Sequence, residues 1–499
     1  MLRRSAPAVL AAGLLVFAAC DSSDPTFDTP TPAPPAFDPL TADFDTVDVA
    51  YPFVRALLEA RDVFPGIQAA DGDYSWASVF AAAEGESIVP FNADASLLVR
   101  LAESDLDASE TAPYAVQELE GDEVRYLRRW IEAGARNADG DLPYADAQKL
   151  LYVCNQLAGR VSIIDAERLR TIRMVDLADH GFMMGTPHDV AVSPDGDSWY
   201  LTMIMENTTA RFSTSLTMDP SDDAYLLASS EPGAAGGGPF TKPGMVEVVE
   251  GGPVLVGRSF SDQESSSIAV MDPETLAFDV IPTPYSRPHA VGAVPGGRYA
   301  LSASLAEANQ VALIDLEADG GPEFSLAPLT VGSTALVQFA VSPDAGSAVL
   351  TSQLTGELFL LDLDLENGAV SQSGVVSVGQ QPWHPIYSPD GSRVYVPNRA
   401  SNSVSFVDPA SGTVTRTVED PRFSQPHGAT ISDDGRTLFV SHRNTADLGE
   451  ENVNYTPRYA LGPNTATGLV TAIDTETGEV LAVIETGAWA SGMAYYSAD

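Results

Sequence analysis

A cadence that returns about every fifty residues constrains this chain more than any other feature. "TPHDVAVSPDG" (186–196), "RPHAVGAVPGG" (287–297), "QPWHPIYSPDG" (381–391) and "QPHGATISDDG" (425–435) share one plan. A proline leads, a histidine follows it directly or one place later, and a short alternating apolar run ends in a Pro/Asp/Gly turn. Self-similarity at such a period belongs to chains built from repeated supersecondary units, none of which buries its apolar face alone.

The clearest unit is "QPWHPIYSPDGSRVYVPNRASNSVSFVDPASGTVTRTVEDP" (381–421). It holds four short alternating runs, "HPIYS", "RVYVPN", "SVSFVD" and "TVTRTVE", separated by turn residues. With "YVPN" (395–398) in its second run, it resembles the YVTN β-propeller repeat. Related units start near 187, 243, 288, 335, 382 and 426. An opening unit, "LLYVCNQLAGRVSIIDAERLRTIRMVDL" (150–177), lacks a first strand, and the last residues, "AWASGMAYYSAD" (488–499), are a first strand with nothing after it. Joining Gly492 to Ser497 onto the opening unit closes a ring. The expectation is a mainly β chain carrying a seven-bladed β-propeller over 148–499, closed so that no long strand edge is left open.

The N-terminus reads as a targeting segment. Arg3 and Arg4 precede "APAVLAAGLLVFAA" (6–19), too short for the roughly 20 apolar residues of a membrane span. It ends in "FAAC", which resembles the lipobox of bacterial lipoproteins, with Phe17 where leucine is usual. The resemblance implies a signal peptide over 1–19, lipidation of Cys20 and attachment to membrane lipid in the cell envelope, facing the periplasm or the outside; Asp21 resembles the inner-membrane retention signal of enteric bacteria. Residues 20–40 are rich in Pro, Asp, Ser and Thr, a composition that reads as an extended tether. The only other cysteine, Cys154, lies in "LLYVCN" and reads as a buried hydrophobe.

From 41 to 147 the apolar spacing turns helical, clearest in "DTVDVAYPFVRALLEARDVF" and "EGDEVRYLRRWIEAGAR", the latter ending at Gly134. "SIVPFNADASLLVRL" (87–101) followed by "ELEGDEVRYLRRWIEAGARNADGDLP" (118–143) resembles the second half of small c-type cytochrome domains. Covalent haem needs Cys-x-x-Cys-His and axial donors, and residues 21–153 contain no cysteine, histidine or methionine. The expectation is a cytochrome-c-like helical domain without haem, serving packing or docking.

Composition narrows the partners. With 26 Lys+Arg against 69 Asp+Glu, the net charge is −43, and Lys149 and Lys242 are the only lysines. Such a surface resembles those of proteins from salt-loving organisms, and its field repels nucleic acid phosphates.

Functional residues in propellers gather at the top face, where each inner strand begins. Aligning the inner strands on Ser193, Val249, Val294, Ser342, Ser388, Ser432 and Ser497 places His188, Gly244, His289, Val337, Trp383, His427 and Gly492 at one position. His384 sits one place off, and His442 ("FVSH") ends the second strand of blade seven. Converging neutral imidazoles suit copper, zinc or iron. Met203, Met205, Met183 and Met184 add thioethers, which favour copper. The pattern resembles the propeller of nitrous oxide reductase, without its second copper domain, and that of methanethiol oxidases. Against this stands a plainer reading, in which Pro-His sets the strand entry and the imidazole caps a carbonyl. Lactonases share this type of propeller, and for such chemistry Glu206, Arg258, Arg287 and Arg399 lie in or near the top loops. The insert "NTADLGEENVNYTPRYALGPNTATG" (444–468) exceeds ordinary loop length and reads as a binding loop with Tyr455, Arg458 and Tyr459 as contacts. The leading expectation is a non-catalytic propeller that binds a protein or small ligand at its top face; a copper-dependent redox enzyme and a lactonase-like hydrolase are the alternatives.

Overall fold

The computed structural model describes residues 38–39, 41–61, 63, 74–81, 88–103, 119–230, 240–259, 266–306, 308–330, 334–448, 453–457 and 467–498. The chain divides into two compact units, Met1–Asp38 and Pro39–Asp499. The residues read as a signal peptide, Cys20 and nearly all of those read as a tether lie outside the described residues, as do Arg458 and Tyr459.

Seven four-stranded antiparallel sheets form the propeller, each meandering outward from an inner strand. The inner strands of blades two to seven are Pro187–Val192, Pro243–Val248, Ala290–Ala293, Leu336–Val341, Ile386–Tyr387 and Pro426–Ile431. Blade one is completed from the far end of the chain. Its inner strand, Ala490–Ser497, pairs with Lys149–Asn155 so that Ser497 faces Lys149 and Ala490 faces Asn155. The ring closes as the alternation of "GMAYYS" against "LLYVCN" requires.

Strand alternation makes the core. Val190 and Val192 pack into the layer shared with blade one, beside Tyr152, Trp199 and Phe212, while Ala191 enters the layer shared with blade three. Side chains of one strand thus fill two inter-blade layers, and backbone edges line the axis.

The repeated Ser-Pro-Asp-Gly explains itself at the other end of each inner strand. Ser193, Ser342, Ser388 and Ser432 each donate Oγ–H to the aspartate two residues on, at 2.5–2.7 Å. The same serine oxygens accept the amide five residues on, at 3.0–3.1 Å. These bonds hold the aspartates acidic; that of Asp390 brings its carboxyl down to about 2. The turn ends in the left-handed region, at Gly196, Gly391 and Gly435, with Ala345 in blade five.

Four α-helices are described in the segment before the propeller: α1 (Tyr51–Arg61), α2 (Trp76–Ala81), α3 (Leu97–Ala102) and α4 (Gly121–Glu132). Glu123 serves two roles: it accepts the Glu120 amide at 2.7 Å in a capping box and pairs with Arg61 of α1 at 2.7 Å. Gly134, with φ 94°, stops α4 while Ala135 N–H bonds the Trp130 carbonyl. This segment docks on blade one. Arg173, 1% exposed, donates to the carbonyls of Pro143 and Leu216 and lies 5.3 Å from the Phe91 ring centre. Burial pulls its guanidinium down to about 10. Among the described residues no helix is long and apolar enough to cross a membrane.

Candidate functional site

Two backbone devices recur where the inner strands begin. Lys242, Arg287, Gln381, Gln425 and Trp489 immediately precede their blade's entry and all have φ between 48° and 65°. Four of them stand before proline, where a helical conformation is already disfavoured. Such conformations cost of order 1–3 kcal/mol each and persist only where surrounding structure imposes them. Just below, the pairing register slips in blades one, two, three, five and seven. The residues left unpaired are Ser491–Gly492, His188, Gly244–Met245, Val337–Gln338 and His427–Gly428. A bulge turns its extra residue away from the ladder. In blades four and six the inner strand starts only after His289 and His384.

The result is a cluster of four imidazoles. His188, His289, His384 and His427 are all buried, at most 6% exposed. Nε2 of His188 lies 3.1 Å from Nε2 of His289. His289 Nδ1 is 2.8 Å from the Val337 carbonyl, so Nδ1 carries the proton and Nε2 accepts from His188 Nε2–H. His384 and His427 stand edge to face with ring centres 4.9 Å apart. Burial keeps all four neutral. It brings His289 down to about 4 and His384 to about 3, and the neighbouring His289 and Arg443 push His188 and His427 further in the same direction.

Arg443 binds this cluster to two indoles. Its Nη2 donates to His427 Nε2 at 2.8 Å, and its guanidinium lies 5.1 Å from the Trp383 ring centre and 4.5 Å from that of Trp489. Arg399 approaches Trp383 at 5.6 Å and donates to Gln425 Oε1 at 3.3 Å. Because His427 Nε2 accepts from Arg443, its proton is on Nδ1. That N–H, together with the indole N–H groups of Trp383 and Trp489, is buried without an acceptor among the described residues.

Below the imidazoles the channel opens into a cavity of about 470 Å³ that runs to the Ser-Pro-Asp-Gly end. His384, Asp189, Glu247 and Gln338 are polar lining groups. Gln338 Nε2 donates to Glu247 Oε1 at 3.2 Å, and Val246 N–H donates to Asp189 Oδ2 at 3.0 Å. Burial is the first cause raising both carboxyls, Asp189 to about 7 and Glu247 to about 8, and the nearby Asp189 adds to the rise at Glu247. Glu247 keeps an edge open to the channel.

Other residues singled out from sequence sit elsewhere. His442 accepts the Ser424 amide on Nδ1 at 3.3 Å and lies 2.9 Å from Thr471 Oγ1 through Nε2, with Phe423 against its ring. Both ring nitrogens serve blade seven, because strand alternation turns His442 into the sheet layer. Tyr455 packs on Leu469 and Val483, and its hydroxyl donates to Glu485 at 2.8 Å, so it anchors the insert. Glu206 caps the Met184 amide, Arg258 lies over Phe240, and Arg287 is exposed; of that group Arg399 alone joins the cluster. Met203 is buried in the layer between blades one and two, whereas Met183, Met184 and Met205 are exposed. Among the described residues no three of His, Cys, Asp and Glu are grouped as a metal ion requires. Arg443, Trp489, Asp189, Glu247 and Gln338 escaped the sequence reading. The αL residue before five of the entries, legible in four of them as a bulky residue before proline, was a usable signal for part of this.

No protein-family model matches the chain, and no curated protein sequence matches it. Solved structures do. A functionally unknown protein from Desulfotomaculum acetoxidans is 16% identical, with TM-score 0.54, over 70% of this chain and 99% of its own. A protein from Lactobacillus plantarum is 16% identical, with TM-score 0.52, over 70% and 99%. The periplasmic gluconolactonase of Pseudomonas aeruginosa is 17% identical, with TM-score 0.51, over 70% of this chain and all of its own. At these identities the likeness is one of fold: the chain carries a seven-bladed β-propeller similar to theirs.

Proposed function

We propose that this is a lipid-anchored protein of the bacterial cell envelope whose propeller binds a small solute bearing an oxyanion at the entry end of the channel. One observation carries the reading: Trp383, Trp489 and His427, whose rings all contact Arg443, each carry a buried N–H that lacks an acceptor among the described residues. Leaving such donors unpaired costs about 1–3 kcal/mol each, which an incoming carboxylate or phosphate oxygen offsets. The four neutral imidazoles add no competing positive charge, so the guanidinium sets the sign of the site. The fold neighbour named a gluconolactonase makes gluconate and glucono-1,5-lactone the first solutes to try, and hydrolysis of the lactone would add an activity to binding. Calorimetric titration with gluconate, phosphate and acetate tests the proposal. At least one should bind, and Trp489→Phe, which keeps the ring and removes the N–H, should weaken it about tenfold. Absence of binding at millimolar concentration for all three overturns it.

A copper site is the second reading, favoured by the His188–His289 geometry. Two ligand nitrogens at about 2.0–2.1 Å from one ion, at near-tetrahedral or right angles, stand roughly 3 Å apart, and theirs are 3.1 Å apart. The Val337 carbonyl already holds the His289 proton on Nδ1, which leaves Nε2 as the ring's lone-pair nitrogen facing His188, as second-shell partners of metal ligands do. Arg443 beside His427 opposes a third imidazole ligand. Elemental analysis after copper reconstitution and dialysis decides: stoichiometric copper lost in His289→Ala supports this reading, and none refutes it.

A further inference from the structure

We infer that the channel cavity below the imidazoles is a second site, shaped to hold a primary ammonium group on Asp189, Glu247 and the amide oxygen of Gln338. This inference is independent of the oxyanion site above it.

Three acceptors line the cavity together. Gln338 spends its Nε2 on Glu247, which leaves its Oε1 buried in a side chain only 4% exposed, with no donor among the described residues. Asp189 has one oxygen on the Val246 amide and is close enough to Glu247 to raise its proton affinity. Apart from the carboxyl protons that burial favours on Asp189 and Glu247, which an arriving ammonium ion displaces, the trio's side-chain donor is the Gln338 amide nitrogen. Such an acceptor-rich corner lacks a cation with hydrogens to give, and an –NH₃⁺ group brings three. A bare metal ion fits less well, since no three of His, Cys, Asp and Glu are grouped for one among the described residues.

The cavity also fits the rest of such a ligand. Met245, Phe339, Ile386, Tyr387, Ile431 and Met493 line it, and about 470 Å³ accommodates a short alkyl chain. The open end faces the acidic turns, whose aspartates stay ionised and attract cations toward the channel. The amine therefore enters at the face opposite the oxyanion cluster, with His384 as the shared wall.

The test is calorimetric titration of the intact protein with n-butylammonium, tetramethylammonium, calcium and zinc, each alone. Butylammonium should bind, and tetramethylammonium, which has no N–H, about tenfold more weakly. Glu247→Gln should weaken butylammonium about tenfold, while Trp489→Phe leaves it unchanged. Equal binding of the two ammonium ions, no binding of butylammonium at millimolar concentration, or calcium or zinc binding more tightly than the amine would each overturn the inference. The comparison of the two ammonium ions needs no variant, so a failure of Glu247→Gln to fold leaves it decidable.

Discussion

Nε2 of His188 and Nε2 of His289 lie 3.1 Å apart although the residues belong to blades two and four. Blade three, between them, carries Gly244 at the equivalent position, where a Cβ would press on the Ser259 backbone nitrogen of the neighbouring strand end. Gly257 of blade three lies against the His289 backbone itself, because a Cβ there would collide with the His289 carbonyl oxygen. The missing side chain at Gly257 thus lets the His289 backbone close on blade three, beside which the imidazole pair forms.

Gly257→Ala should therefore destabilise the protein through backbone displacement at His289, by about 1–3 kcal/mol. The urea midpoint measures this. Gly251→Ala makes a poor control because φ there is 66°, so the comparison is Ala191→Gly. A midpoint unchanged in Gly257→Ala would contradict the close approach.

Stability should pass through a maximum near pH 6.5. Five imidazoles, His188, His289, His384, His427 and His442, are depressed in the folded state, with His289 at about 4 and His442 at about 3. Their unfolded value is about 6.5, so the unfolded chain binds more protons below it and stability falls as pH drops toward 4 and 3. Asp189 and Glu247 act in the opposite sense. They are raised to about 7 and 8, so the stability from their protonated forms is present below about pH 4 and lost as pH rises through those values. Between about pH 4 and 6.5 the five imidazoles outweigh the two carboxyls; above 6.5 the carboxyls act alone. Urea midpoints from pH 4 to 8.5 test this, and Glu247→Gln should flatten the alkaline limb.

Removal of residues 488–499 should abolish cooperative unfolding. The strand Ala490–Ser497 covers Leu151 and Val153 and supplies Met493 to their apolar cluster. Without it blade one loses its inner strand and exposes a sheet edge. A truncated chain that still melts in one sharp transition would show that closure is dispensable.

Cys20→Ser should move the protein from the membrane to the soluble fraction of expressing cells, since one or two acyl chains decide stable attachment. Fractionation and immunoblotting read the outcome. Equal membrane retention of the variant would refute lipid anchoring at Cys20.

The blade repeat, the ring closure and the turn chemistry were legible because each is local or periodic. Ser388, Asp390 and Gly391 make their bonds within five residues, and alternation in "GMAYYS" suits one partner strand. The shared register of His188, His289 and His427 was legible for the same reason. The direction of a side chain at a strand end was not. His442 and Arg443 are neighbours, yet one turns into the blade and the other lies between two indoles over the channel. Sequence period assigns a residue to a face only while the ladder is regular, and bulges at the strand entries break it. The sequence by itself thus determined the propeller, its seven blades and the level at which the histidines stand. The tertiary structure alone decided which of them meet, because contacts across the channel depend on ring curvature and on side chains that neighbouring blades lack. It also decided that Asp189, Glu247 and Gln338, far apart in the chain, share one cavity, since only closure of the ring brings three blades to a common axis.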